Sequence, residues 1–180
     1  MAANSSTDTY FMQLQPIDKT LYRKRLNRVI AAVIVVLMAL ALGCSTLLIA
    51  LFGELGGSNF ALNLIGVVVA ASLVGLLLRH FRSHPYMNEV LYVWRLKQEL
   101  NRIYRKTAKI KAAAASNNLN ALIIMNFNLK GCAQLYELDD NDLTLGELKQ
   151  EIEALDKKIT DLGLTINIDD YDPALLAQLD

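Results

Sequence analysis

Residues 29–78 carry one charged side chain, Glu54, in a chain of 180 residues that has 18 basic and 18 acidic ones. The other 130 positions hold the remaining 35 charges, about 27%, which is the composition of an ordinary soluble region. The chain therefore reads as a membrane segment joined to a soluble one. A wholly water-soluble globule, a disordered tail protein and a disulfide-stapled secreted module are all excluded by that distribution.

Val29 to Phe52 is an uncharged run of 24 residues and Phe60 to Leu78 one of 19. As helices they measure about 36 and 28 Å, against a hydrocarbon core of about 30 Å. A Lys, Arg or Asp at mid-span would cost roughly 2.5–3.5 kcal/mol on insertion, whereas each Leu, Ile, Val or Phe contributes about 0.3–0.6. Seven residues, Gly53 to Asn59, connect the runs, so two spans would be antiparallel neighbours. Lys19, Arg23, Lys24, Arg25 and Arg28 precede the first span, Arg79 and Arg82 follow the second, and the connection has no base. That bias places both termini in the cytoplasm.

Neither span holds an Asp, Glu, Lys or Arg, which argues against a pump or transporter. Gly66 with Ala70, Ala71 with Gly75, and Ala39 with Gly43 are small residues four apart, a spacing that lets helix backbones approach. Packing within the hairpin is the expected use, with a dimerisation face as the alternative. Ala41-Leu42-Gly43-Cys44 partly resembles the lipoprotein cleavage motif, but the residues after Cys44 stay apolar and a 43-residue leader exceeds the usual 15–30 or so. Cys44 and Cys132 would lie in lipid and cytosol respectively, so no disulfide is expected.

Three regions follow: an N-terminal cytoplasmic segment over 1–28 with an interfacial amphipathic helix, a hairpin over 29–78, and a cytoplasmic region over 79–180. Asp18 is a plausible N-cap for a helix that runs on into the first span. Val93, Leu96, Leu100, Ile103, Thr107 and Ile110 recur at alternating intervals of three and four. Leu122, Met125, Leu129, Cys132 and Tyr136 do the same, as do Leu145, Leu148, Ile152, Leu155, Ile159 and Leu162. Helices are expected at about 85–115, 119–137, 145–162 and 173–179. Ser116-Asn117-Asn118 interrupts the first, Thr144 with Glu147 forms a capping box, and Gly163-Leu164 suits a Schellman stop. The fold class is an all-α membrane protein: a two-span transmembrane helical hairpin followed by a cytoplasmic antiparallel helical bundle with coiled-coil-like seams.

Residues 79–111 contain nine bases and two acids, and residues 130–180 four bases and thirteen acids. Each base near anionic headgroups is worth up to about 1 kcal/mol, and Tyr86, Tyr92 and Trp94 suit an interface. Arg79, Arg82, Trp94 and Arg95 are thus candidate lipid-interface residues, with anionic membrane lipids as partners. Nucleic acid is not expected, because the bases lack an aromatic stacking platform. His80 and His84 have two-ligand metal spacing but no third Cys or His nearby. Asp139-Asp140-Asn141-Asp142 with Glu151 echoes a calcium loop, yet Leu145 occupies the position that needs Gly. No catalytic, cofactor-binding or metal residue is assigned, and no enzyme is expected.

Leu14-Gln15-Pro16-Ile17-Asp18 and Tyr22-Arg23 within Phe11 to Arg28, the two spans, and Gln134-Leu135-Tyr136-Glu137-Leu138-Asp139-Asp140-Asn141 resemble a family of bacterial inner-membrane proteins classified as a domain of unknown function (DUF3087-like). The resemblance implies a two-span protein of the bacterial inner membrane with a helical cytoplasmic part, and no activity or cofactor to transfer. The function expected is a non-catalytic membrane-anchored scaffold or accessory subunit acting through its cytoplasmic helices. The alternative is a lipid-handling protein or enzyme using the basic juxtamembrane interface. A homo-oligomer and an unidentified protein partner both stay open.

Overall fold

A computed structural model describes residues 12–53 and 57–179, without the side chains of Asp142 and Leu143. Expectations that concern residues 1–11, residues 54–56 and Asp180 lie outside the described residues. Among the described residues six α-helices follow one another: α1 Lys19–Phe52, α2 Phe60–Phe81, α3 Asn88–Tyr104, α4 Thr107–Ala115, α5 Leu119–Asp139 and α6 Asp142–Asp161. Short 3-10 turns occupy Pro85–Met87, Ile168–Asp170 and Pro173–Leu179, and there is no strand among the described residues. The chain divides into two compact units, one of Thr20–Leu91 and one that joins the N-terminal residues through Lys19 to Tyr92–Asp180.

In the first unit α1 runs 34 residues without a break, about 51 Å. Its contact with α2 is set by Gly66, Ala70 and Val74, which fall at intervals of four and are all buried. At Gly66 the helices nearly touch: a Cβ there would lie 2.4 Å from Ser45 Oγ and 2.8 Å from Ser45 Cα. Ser45 is itself buried, and its hydroxyl donates to the carbonyl of Asn63 at 3.3 Å. The second small pair behaves differently. Ala71 and Gly75 are exposed, as are Ala39 and Gly43, and nothing lies within 4 Å of a Cβ at Gly75 or Gly43. Thr46 and Ser72 turn their hydroxyls back to the carbonyls of Leu42 and Val68, both at 2.8 Å. Both helices are long and apolar enough to cross a membrane.

In the second unit α5 is the central element, packed against α6, α4 and the two C-terminal 3-10 turns. Leu122, Ile124 and Phe127 are fully buried on it. Lys130 of α5 bonds Asp156 of α6, while Leu122 and Lys158 line one cavity and Tyr136 and Leu148 another, so the two helices run in opposite directions. Val93, Leu96, Leu100 and Ile103 bury the seam of α3, and Gly131 lets α5 come close, since a Cβ there would be 3.1 Å from Leu100 Cδ2.

The single helix expected over 85–115 is instead a turn and two helices. Proline starts the Pro85–Met87 turn, and the chain breaks again at Arg105 and Lys106. There Lys106 N–H bonds the Ile103 carbonyl in a tight turn, and Thr107 Oγ1 donates to the Tyr104 carbonyl, a local bond that competes with helix continuation. Ile110 and Ala114 are nevertheless buried beyond the break, so the seam resumes.

The expected helix signals divide. Asn117 adopts a left-handed φ of 60° that closes α4, and Asn118 Oδ1 accepts the Ala121 N–H at 3.1 Å to cap α5. Gly163, at φ 68°, ends α6 in a Schellman motif, with Leu164 N–H on the Ile159 carbonyl and Gly163 N–H on that of Thr160. The capping box at Thr144 is not formed, because α6 already begins at Asp142. Asp172 Oδ1 does accept the Ala174 N–H, but the last helix is 3-10 rather than α.

Candidate functional sites

A cleft lies in the first unit. α2 ends at Phe81, and the extended backbone of His84 leads into Pro85 at the first turn position, where His84 Nδ1 accepts the Tyr86 N–H at 3.2 Å. Arg25 of α1 reaches this turn and the start of α3: it donates to the Pro85 carbonyl at 3.2 Å, sits 5.1 Å over the Tyr86 ring, and pairs with the Glu89 carboxylate of α3. The turn is thereby fixed against α1. Between them remains a space of about 330 Å³, walled by Val29, Val33 and Val36, by Leu77 and Phe81, and by Met87. His84 also lines it, while His80 packs edge-on against Phe81 at 5.3 Å. The two histidines do not share a helix face, since the helix stops between them. Arg79 and Arg82 are exposed at the end of α2.

The second unit brings together residues far apart in sequence. Gln15 N–H donates to Tyr92 Oη at 2.9 Å, Tyr92 Oη donates to Gln134 Oε1 at 2.7 Å, and Gln134 Nε2 donates back to the Gln15 carbonyl at 2.5 Å. Burial pushes the Tyr92 hydroxyl above its ordinary range, and the bonds with Gln15 and Gln134 pull it partly back. Lys19 pairs with Asp140, and Lys97 donates to Asp139 at 2.7 Å. The two carboxylates that open the calcium-like run thus face lysines. Among the described residues no three His, Cys, Asp or Glu side chains are grouped to hold a metal.

A second polar cluster anchors the C-terminal segment. Tyr171 Oη donates to Glu99 Oε1 at 2.6 Å, Arg102 Nη1 donates to Glu99 Oε2 at 2.9 Å, and the Tyr171 ring stacks on Phe127 at 4.0 Å. Burial, then the Glu99 carboxylate, hold the Tyr171 hydroxyl well above its usual range. Lys106 Nζ donates to the Leu176 carbonyl at 2.8 Å, and Asn120 to Gln178 at 2.7 Å. Cys132 lines a cavity of about 170 Å³ with Tyr136, Leu148 and Glu151; its thiol is pushed up by burial, then by Glu151. Of the interface candidates here, Trp94 is half exposed and Arg95 partly so.

Residues 12–176 match the family model described as Protein of unknown function (DUF3087). The chain belongs to that family. No curated protein and no solved structure matches it. Two of the strings that carry the DUF3087 resemblance meet in the second unit, where Gln15 bonds Gln134 and Lys19, next to the first string, pairs with Asp140. The sequence does not show that they touch, and Tyr92, expected near a membrane interface, is instead buried as their link. Sequence reasoning missed Glu99, although an acid between Leu96, Leu100 and Ile103 on an apolar helix face is a signal of a buried partner.

Proposed function

We propose that this DUF3087 chain is a non-catalytic membrane protein of the bacterial inner membrane, with α1 and α2 spanning the bilayer and both termini in the cytoplasm. Its cytoplasmic helical unit acts as a scaffold or accessory subunit. The observation that carries this reading is the outward apolar surface of the two long helices, where Leu42 is 69% and Leu76 63% exposed. Monomers in water rarely expose contiguous apolar patches above a few hundred Å². The polar side chains gathered in the second unit tie segments of the chain to one another, which supports a structural role over a chemical one.

Two measurements test this. Chain in native membranes should stay in the pellet after alkaline carbonate, and reporter fusions after Ser58 and at Asp180 should report external and cytoplasmic locations. An externally active reporter at Asp180 ends the two-span reading. Stoichiometric turnover-independent retention of a partner through the cytoplasmic unit would support the scaffold role, whereas a reaction catalysed by the purified chain would end it.

A further inference from the structure

Close packing of α1 on α2 at Gly66, Ala70 and Val74 stops where the cleft begins. From Val74 to Phe81 on α2 and from Val29 to Val36 on α1, about 10 Å of each helix, the two walls stand apart. A gap between apolar helices would ordinarily be open at its end. Here the turn at Pro85–Met87, held by Arg25 through Glu89, Tyr86 and the Pro85 carbonyl, closes that end. Its volume of about 330 Å³ falls within the roughly 300–1,000 Å³ of cavities that bury small ligands.

Charge around the cleft has one sign. The described residues of this unit include Arg23, Lys24, Arg25, Arg28, Arg79 and Arg82 against one acid, Glu89, and Glu89 is already paired with Arg25. Arg28, Arg79 and Arg82 are exposed, and each is next in sequence to a residue of the wall: Val29, Leu78 and Phe81. An apolar slot with exposed cations in the helical turns that flank it is complementary to a molecule with a hydrocarbon tail and an anionic head.

We infer that this cleft holds the headgroup-proximal half of one acyl chain of an anionic phospholipid of the cytoplasmic leaflet, its phosphate against Arg28, Arg79 and Arg82. The inference rests on the spanning reading above, which puts the cleft beside that leaflet. Arg25 is a positioning residue: it fixes the turn that closes the slot. Each of the outer arginines should favour an anionic over a neutral headgroup by about fivefold at most.

The test uses full-length protein from the carbonate-resistant membrane fraction, reconstituted in nanodiscs of equal phosphatidylglycerol and phosphatidylcholine and released into native mass spectrometry. One retained lipid per chain is expected, with phosphatidylglycerol preferred by tenfold or more. Ala32→Phe fills the cleft with an apolar ring and should abolish retention, while Ala71→Phe on the exposed face should leave it intact. Arg79→Gln with Arg82→Gln should keep the lipid but reduce the phosphatidylglycerol preference severalfold. Absence of a retained lipid, equal retention of the two lipids by the wild type, or retention unchanged by Ala32→Phe overturns the assignment. Because the starting material already resists extraction, such a failure removes the lipid and leaves the spanning reading standing.

Discussion

Gly66→Ala tests which small-residue face joins the two long helices. The added Cβ would lie 2.4 Å from Ser45 Oγ and 2.8 Å from both Ser45 Cα and N, where ordinary contact begins at 3.4 Å. Rotation of the Ser45 side chain can relieve the first clash but not the backbone one. The helices must then part by about 0.6 Å at this crossing, a gap of the size that forfeits roughly a quarter of each dispersion contact it opens. Adding the usual cost of overpacking, about 1–3 kcal/mol, gives an expected loss near 2 kcal/mol, or about 30-fold in hairpin closure. Fluorophores at the exposed positions Leu47 and Leu64 would follow closure by energy transfer during an SDS titration in mild detergent. Gly75→Ala, with nothing within 4 Å of its Cβ, should shift the midpoint by less than about 0.5 kcal/mol. A neutral Gly66→Ala beside a costly Gly75→Ala would assign the hairpin contact to Ala71 and Gly75 and refute this packing.

Alkaline unfolding should expose the Tyr171 contact. Its hydroxyl is raised above the ordinary 10.0 by burial and Glu99, so the folded chain keeps a proton that the unfolded chain releases, and stability falls as pH rises above that value. Tyr171→Phe should lower stability at pH 8 by about 1–3 kcal/mol, yet flatten the decline between pH 10 and 11 in denaturant titrations, with Tyr92 supplying a residual slope of the same sign. Tyr92→Phe and Gln134→Ala should each speed hydrogen exchange of the Gln15 amide by about tenfold, worth about 1.4 kcal/mol, while the Leu122 amide in α5 keeps its protection. Leu155→Asp and Leu100→Asp, at positions 6% exposed, should each cost about 3 kcal/mol or more in thermal or chemical melts. Full helicity and stability in both, with only an oligomer lost, would make those seams intermolecular.

Periodicity located the helices because apolar burial imposes it. Val93, Leu96, Leu100, Ile103 and Ile110 are buried as the spacing requires, and so are Leu155 and Ile159. Their interruptions were legible only where local chemistry writes them: Asn117 and Gly163 take left-handed backbones that few residues tolerate, whereas the break at Arg105 and Lys106 has no Gly or Pro to announce it. Small residues marked candidate helix contacts but not which pair would be used. Gly66 with Ala70 and Ala71 with Gly75 have the same spacing but lie on different helix faces; choosing between them depends on the partner helix, and Ser45 sits opposite Gly66. The site residues were the least legible. Arg79, Arg82 and Trp94 are exposed and Arg95 partly so, while Arg25, Glu89, Glu99, Tyr92 and Tyr171 act through partners tens of residues away.

The contacts at Gln15, Gln134, Lys19 and Asp140 bear on what family membership means for this chain. Here the Gln134 amide gives its N–H to the Gln15 carbonyl and takes the Tyr92 hydroxyl on its oxygen, and Tyr92 receives the Gln15 N–H in turn, closing a ring of three bonds. Such a ring satisfies an otherwise exposed length of N-terminal backbone and fixes it to α3 and α5. Asp139 and Asp140 then set two lysines from different parts of the chain at the end of α5. These contacts fix where the N-terminal segment lies against α3 and α5. In the first unit, by contrast, the cleft lined by Val29, Leu78 and Phe81 has exposed Arg28, Arg79 and Arg82 next in sequence to its walls, and it is there that a ligand is to be sought.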